Sequence, residues 1–306
     1  MSIPLVSVII PTRNRAELLS QALESALAVG TANADRFTLE ILVIDDGSSD
    51  DTAQVARRYP VQLLQAENAH GASAARNVGL AKARGDFITF LDDDDVWLPA
   101  NVGTQLTWLE RHPAAGAAFG LAQRTTPDLA PLGDPVPEGS PVSGWVFEQL
   151  LTFWPQLGTI LVRAEAARAA GPFDVSLLAG EDWDWLLRIA KRWPIGWIEM
   201  PLMLFRQRAS TDVVMMQWRL RDALLVFRRH TRSLPLPQRL RLERILIRHR
   251  GWFASHFVMA ARASEQAGKP ADARYALHCA WSASPLHTLR LLWPERALVQ
   301  TVLAKG

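Results

Sequence analysis

The sequence predicts an α/β protein with a doubly wound, mostly parallel sheet followed by a helical C-terminal appendage. Three observations carry this reading. Short apolar, β-branched runs alternate with helical stripes from Val6 to Asp92, as expected of parallel strands buried on both faces. Several runs end in acidic, Gly- or Pro-bearing turns, and open α/β sheets bind ligands beyond such strand ends. After Thr211 the strand signal stops and only helical periodicity remains.

The elements follow in order. Residues 6–10 (VSVII) are a first strand closed by Pro11. From Arg15 to Val29, Leu18, Leu19, Ala22, Leu23, Ala26 and Leu27 form one helical stripe. Residues 40–45 (EILVID) are a second strand, and Ser48, Ser49 or Asp50 caps a helix over 51–59. Residues 61–65 give a third strand, and 72–83 an Ala-rich helix ended by Gly85. Residues 86–92 are a fourth strand. Residues 99–111 read as a helix. Five prolines and three glycines make 125–144 a long loop. A helix over 145–151, a strand over 158–163, a helix from Asp182 or Trp183 to Arg192 and a strand over 194–205 complete this part. Helices are expected over 215–230, 237–249, 252–268 and 270–282, the last two resembling one tetratricopeptide helical pair without its repeat. The expected domains are 1–210 and 211–306.

Composition narrows the function classes. The 306 residues are 49% apolar and 21% charged, a globular balance. The single cysteine, Cys279, excludes a disulfide framework or a cysteine-rich zinc module. The longest run without a charged side chain, 275–289, is too short and too polar to span a membrane. The first residues read as a strand and not as a signal peptide, so a cytoplasmic protein is expected. The net charge of +2 hides an asymmetry: 1–210 carries 17 basic and 25 acidic residues (−8), and 211–306 carries 16 and 6 (+10). Residues 219–250 hold ten arginines against Asp222 and Glu243, interleaved with Leu and Ile. That pattern leads us to expect peripheral contact with an anionic membrane face. Neutralisation of the acidic half or a solvated helix face are the competing explanations. Nucleic acid is not expected, because the acidic front half would repel it and no recognition motif appears.

Four constellations carry chemistry. In FLDDDDVWLP, a buried strand runs into Asp92, Asp93, Asp94 and Asp95. Adjacent carboxylates repel one another, and a hard cation such as Mg²⁺ or Mn²⁺ is their natural counterion. Asp45 and Asp46 end the second strand, where a carboxylate accepts from a nucleobase imide or a ribose hydroxyl, or simply closes an Asp-Gly turn. Arg76, on the small-residue helix ASAARNVG, can clamp a diphosphate or sit in an ion pair. Asp182 stands where a loop enters a helix, between Glu181 and Trp183. A general base needs such a fixed carboxylate, with Trp183 and Trp185 as walls or as sugar-stacking acceptor contacts. The plainer alternative makes Asp182 a helix cap and both tryptophans core.

Together VSVIIPTRNR, EILVIDDGSSDDT, ASAARNVGLAKARGDFITFLDDDD and GPFD…GED resemble a family 2 glycosyltransferase over residues 5 to 208. The resemblance implies a GT-A fold, a nucleotide-diphospho-sugar donor and inversion at the anomeric carbon. It implies that Pro11, Arg13, Asp45 and Asp46 surround the base and ribose, with Arg76 at the diphosphate. Asp92 and Asp93 complete the nucleotide site, and Asp92 and Asp94 form the metal-binding DxD, Asp94 being the direct ligand. Asp182 is the implied base and Glu181 its acidic neighbour on the acceptor side. UDP is the leading donor nucleotide, with dTDP and GDP as alternatives. A glycan or lipid-linked acceptor, within bacterial cell-surface glycan assembly at the inner face of the membrane, completes the expectation.

One departure stands out. Where the family often has an aromatic, then Arg, any residue and His, this chain has Phe205, Arg206, Gln207 and Arg208. A guanidinium cannot ligate a metal, so Arg208 is an expected diphosphate contact. Two rivals remain: a non-catalytic sugar-nucleotide-binding scaffold, opposed by the completeness of the site, and a nucleotidyltransferase, opposed by PTRNR in place of a Gly-rich loop.

Overall fold

A computed structural model describes residues 3–66, 71–139, 141–207 and 213–293. The chain divides into two compact units, Met1–Ser176 with Glu181–Arg208 and Leu177–Gly180 with Ala209–Gly306.

The first unit holds one eight-stranded sheet. Its strands are β1 (Leu5–Thr12), β2 (Thr38–Asp45), β3 (Gln62–Gln65), β4 (Phe87–Phe90), β5 (Val96–Trp97), β6 (Ala117–Thr125), β7 (Ile160–Arg163) and β8 (Ile195–Arg206). Their order is β3-β2-β1-β4-β7-β6-β8-β5. The pairs β1–β2, β1–β4, β2–β3 and β6–β8 are parallel, whereas β4–β7, β6–β7 and β5–β8 are antiparallel. Helices α1 (Ala16–Ala32), α2 (Thr52–Ala56), α3 (Ala72–Lys82), α4 (Gly103–Arg111), α5 (Phe147–Leu150), α6 (Ala164–Ala170) and α7 (Glu181–Ala190) accompany it. Val6, Val8 and Ile10 of β1 share a core with Leu19 and Leu23 of α1 and Leu106 of α4. Small residues bring α3 close to the sheet: a Cβ on Gly79 would lie 2.4 Å from Ile9 Cγ2.

Strand β6 is not expected from the sequence. AAFGLAQRT has weak strand propensity, but both neighbouring strands pair with it. Its one side-chain gap is filled from next door, since a Cβ on Gly120 would meet Leu202 at 2.5 Å. The helix expected from residue 99 begins at Gly103, after Val102 turns through φ 63°.

The second unit is helical. It comprises α8 (Val213–Thr231), α9 (Leu236–Gln266), α10 (Pro270–Ala283) and α11 (Pro285–Leu292). Two helices were expected where the single 31-residue α9 stands. Gly251 does not break it, because the His287 ring packs 3.5 Å from where a Cβ would be. Phe253 and Phe257 are buried, whereas Trp252 and Trp281 are 51% and 48% exposed. The Asp222 carboxylate is fully buried and accepts from the backbone N–H groups of Leu178 (2.7 Å) and Ala179 (3.1 Å).

Candidate active site

Strand pairing brings the C-terminal ends of β2, β1 and β4 side by side, with Thr12 opposite Asp45 and Ile9 opposite Phe90. The chain then reverses at Asn14, whose φ is 53°, a left-handed conformation that Asn tolerates. The Asn14 N–H donates to Ser48 Oγ at 2.9 Å, and its Oδ1 accepts from the Ser49 N–H at 2.7 Å. The turn sends the two flanking arginines to different carboxylates. Arg13 Nη1 lies 4.0 Å from Asp46, while Arg15 Nη1 lies 3.7 Å from Asp93 and 3.5 Å from Asp94. Arg15 was not singled out from the sequence; the left-handed Asn between two arginines was the available signal.

Pro11 is buried at the end of β1. Asp45 accepts from the Ser48 N–H (2.9 Å) and from Gln65 Nε2 (3.1 Å). Asp46 Oδ2 accepts from the Gly71 N–H at 2.9 Å, but its Oδ1 is buried without a donor. An orphaned carboxylate oxygen is costly and fits a ligand N–H or O–H at this strand end.

The four aspartates alternate. Asp92 and Asp94 keep solvent access, and Asp93 and Asp95 are buried. Asp93 accepts from Thr12 Oγ1 at 2.8 Å, and Asp95 accepts from the Arg206 N–H at 2.9 Å. Burial pushes Asp93 up to about 6, against the pull of Thr12 and Arg15. Burial also raises Asp95 well above the usual carboxylate range, helped by Asp92 and Asp94. Asp93 and Asp95 are thus turned inward onto Thr12 and the Arg206 backbone, and half the run is engaged within the fold. Among the described residues no group of three or more His, Cys, Asp or Glu side chains converges as a metal cage. Two accessible carboxylates with hard oxygens nevertheless suit Mg²⁺ or Mn²⁺, which leave their remaining positions to phosphate and water.

Arg76 is buried between two of the expected site residues. Its Nη2 donates to Asp92 Oδ1 at 2.7 Å and its Nη1 to Glu181 Oε1 at 2.7 Å. Burial works against its charge, but Asp92 and Glu181 more than restore it, so its pKa is raised. The expected diphosphate clamp is therefore a clasp between two carboxylates. Asp182 opens α7 beside that clasp and its Oδ1 accepts from the Trp183 N–H at 2.7 Å. Burial, then the neighbouring Glu181, pushes Asp182 up to about 7, while Arg76 pulls the other way.

Trp183 and Trp185 do not reach an acceptor. They are 1% and 0% exposed, and their indole N–H groups donate to the carbonyls of Leu150 and Gly171. Trp185 stacks on Phe173, and Phe90 meets both rings edge-on. The helical period that suggested walls is the period of a core face.

Arg206 is a further residue that the sequence reading passed over. Its guanidinium donates to the carbonyls of Asp94 and Pro127 and to Gln21 Oε1. With its own N–H on Asp95, it fastens the end of β8 to the aspartate run. Arg208, the expected diphosphate contact, lies outside the described residues.

This sheet, with its carboxylates at the parallel strand ends, is the GT-A fold. Residues 7–129 match the model of glycosyl transferase family 2, and the first unit is similar to that family. A mannosyltransferase from Pyrobaculum calidifontis, solved with GDP-Man and Mn²⁺, superposes with a TM-score of 0.63 at 20% identity, over 100% of this chain and 87% of that one. The Haloferax volcanii glycosyltransferase AglE is 28% identical over 205 residues, 61% of this chain and 62% of the relative. The Escherichia coli UDP-Glc:alpha-D-GlcNAc-diphosphoundecaprenol beta-1,3-glucosyltransferase WfgD is 38% identical over 108 residues, 34% of this chain and 41% of the relative. The chain thus spans 34% to 62% of the length of these and two other curated relatives.

Proposed function

We propose that this protein moves a sugar from a nucleotide-diphospho-sugar to a hydroxyl of a glycan or lipid-linked acceptor, with inversion at the anomeric carbon. The observation that carries the reading is the Arg76 clasp, 2.7 Å from Asp92 on the aspartate run and 2.7 Å from Glu181 beside Asp182. One buried side chain thereby joins a cation-binding pair of carboxylates to a carboxylate suited to proton removal. A UDP donor and a lipid-linked acceptor are the first candidates, supported by the E. coli relative's name. The Mn²⁺ and GDP-Man held by the P. calidifontis protein support a cation and keep GDP as an alternative donor base.

The orphan Oδ1 of Asp46 accepts from the base or ribose of the donor, with Arg13 alongside. Asp92 and Asp94 would hold Mg²⁺ or Mn²⁺, which when bound neutralises charge growing on the leaving diphosphate. Arg15, next to both Asp93 and Asp94, adds fixed positive charge at the same place. Asp182 removes the acceptor hydroxyl proton. The new bond from that oxygen to the anomeric carbon forms as the bond to the diphosphate oxygen breaks, and the electron pair leaves with the diphosphate. Attack on the face opposite the leaving group inverts the centre, so a single base suffices, unlike the two-carboxylate plan of glycosidases. A carboxylate near 7 is matched to this task. The buried Trp183–Trp185 layer beneath Asp182 keeps water from its inner side.

The test is transfer of radiolabelled sugar from UDP-, GDP- and dTDP-sugars to undecaprenyl-diphosphate-linked acceptors with Mn²⁺. Label should appear in the acceptor with the opposite anomeric configuration. Donor hydrolysis without transfer to any acceptor would sink the reading.

A further inference from the structure

We infer that α9 carries a docking face for an anionic lipid surface. The solvent side of this helix presents Leu240, Arg244, Ile247, Arg248, Trp252 and Met259. Leu240, Ile247, Trp252 and Met259 are 62%, 64%, 51% and 60% exposed, which is unusual for four bulky apolar side chains on one helix. At 100° per residue Leu240, Arg244, Ile247, Arg248 and Trp252 share one side, as a stripe about 18 Å long at the α-helical rise; His287 of α11 covers Gly251 and Ser255 on that side, which sets Met259 apart from them.

The opposite side of α9 is already used. Leu242, Leu246, Phe253 and Phe257 are buried there, at 2%, 7%, 2% and 0% exposure. The helix is therefore amphipathic twice over: one side builds the core, and the other alternates large apolar groups with guanidiniums. Neither Arg244 nor Arg248 makes an ion pair or a hydrogen bond with a described residue. The acids of the helix are Glu243, off the stripe, and Glu265, beyond it.

Charge and shape select the partner. A polyanion alone would be matched by arginines on a polar face and gives no reason to expose Leu240, Ile247 and Trp252. A neutral apolar partner gives no reason for the arginines. A lipid surface satisfies both, because guanidiniums meet phosphate headgroups while Leu, Ile and Trp enter the boundary beneath them. Trp is favoured at that depth. No helix among the described residues is long and apolar enough to cross a membrane, so this face lies on the surface and does not span it. The inference does not depend on the glycosyl-transfer reading, although a lipid-linked acceptor would give the docking a use.

The experiment is sedimentation of the full chain with vesicles of phosphatidylcholine alone or of equal phosphatidylcholine and phosphatidylglycerol. Binding should appear only with the anionic vesicles and weaken as salt rises. Arg244→Glu with Arg248→Glu should lower the partition coefficient at least about tenfold. Ile247→Ser with Trp252→Ser should lower it as well. All four positions are solvent-facing, and circular dichroism checks that helix content is kept. A wild-type chain that stays in the supernatant with both vesicles overturns the inference, and the face is then free for an acidic protein. Wild-type sedimentation by either folded double variant overturns it too. The readout needs no donor or turnover, so its failure and the failure of the transfer reading are separate results.

Discussion

Arg76 Nη1 meets Glu181 Oε1 at 2.7 Å across 105 residues of sequence. The contact ties α3 to the first turn of α7, and through Nη2 to the aspartate run that follows β4. The residue next to Glu181 is the proposed base, so the same guanidinium that holds the fold together also sets the field at Asp182.

Removing that guanidinium has two separable effects. Arg76→Met leaves Asp92 and Glu181 without their partner, and breaking a buried pair typically costs about 3–5 kcal/mol. Urea unfolding should register a loss of that order. Arg76 also pulls Asp182 down, so in any folded variant the proton-transfer limb of the pH profile should move to higher pH. An unmoved limb would detach Arg76 from the base.

Transfer itself should follow the ionisation of Asp182. A base works deprotonated, and burial raises this group to about 7. The sign is then fixed: the rate per enzyme rises with pH through about 7 and levels off above it. Asp182→Asn should lower turnover by about 10²–10⁴-fold, with donor affinity nearly unchanged by calorimetry. Wild-type turnover in that variant would leave Asp182 as a capping residue.

Nucleotide diphosphate binding should require a divalent cation and depend on Asp94. Asp94→Asn preserves shape and removes charge, so calorimetric affinity with Mn²⁺ should fall to the level measured with chelator. Asp93→Asn makes a contrast. Asp93 is turned inward onto Thr12, so the change should alter stability more than cation-dependent affinity. Equal losses from both variants would contradict the alternation of the run.

The close approach of α3 to the sheet gives a packing prediction. Gly79→Ala would put a methyl 2.4 Å from Ile9 Cγ2. Overpacking of this kind costs about 1–3 kcal/mol. The shift needed to relieve it moves the helix that carries Arg76, so a lower melting temperature should come with a lower transfer rate. A variant as stable and as active as the wild type would mean that the layers can give without loss.

Local signals made the first half of this protein legible. Each of β1, β2, β3 and β4 is an apolar run with its own closing turn, and the aspartates and Asp182 sit at such boundaries. What a residue does with its side chain was less legible. The period that places Trp183 and Trp185 on one helix face is the same whether that face meets a sugar or Phe90 and Phe173. An arginine on a small-residue helix reads alike with a diphosphate or with Asp92 and Glu181 as its partner.

By itself, then, the sequence determined the strand–helix alternation, the acidic strand ends, the family resemblance and the helical, basic C-terminal region. These are properties of short windows, where periodicity and turn chemistry act within a few residues. Only the tertiary structure decided that β6, rich in Ala and Gly, is a strand between β7 and β8. It also decided that Asp93 and Asp95 turn inward onto Thr12 and the Arg206 backbone. The two tryptophans beside the proposed base became core, and Arg15 came to lie 3.5 Å from the Asp94 carboxylate. The physical reason is common to all of these. Burial and ion pairing depend on which distant segments the sheet brings together, and Arg76 finds Glu181 only because β4 and the start of α7 meet across α3.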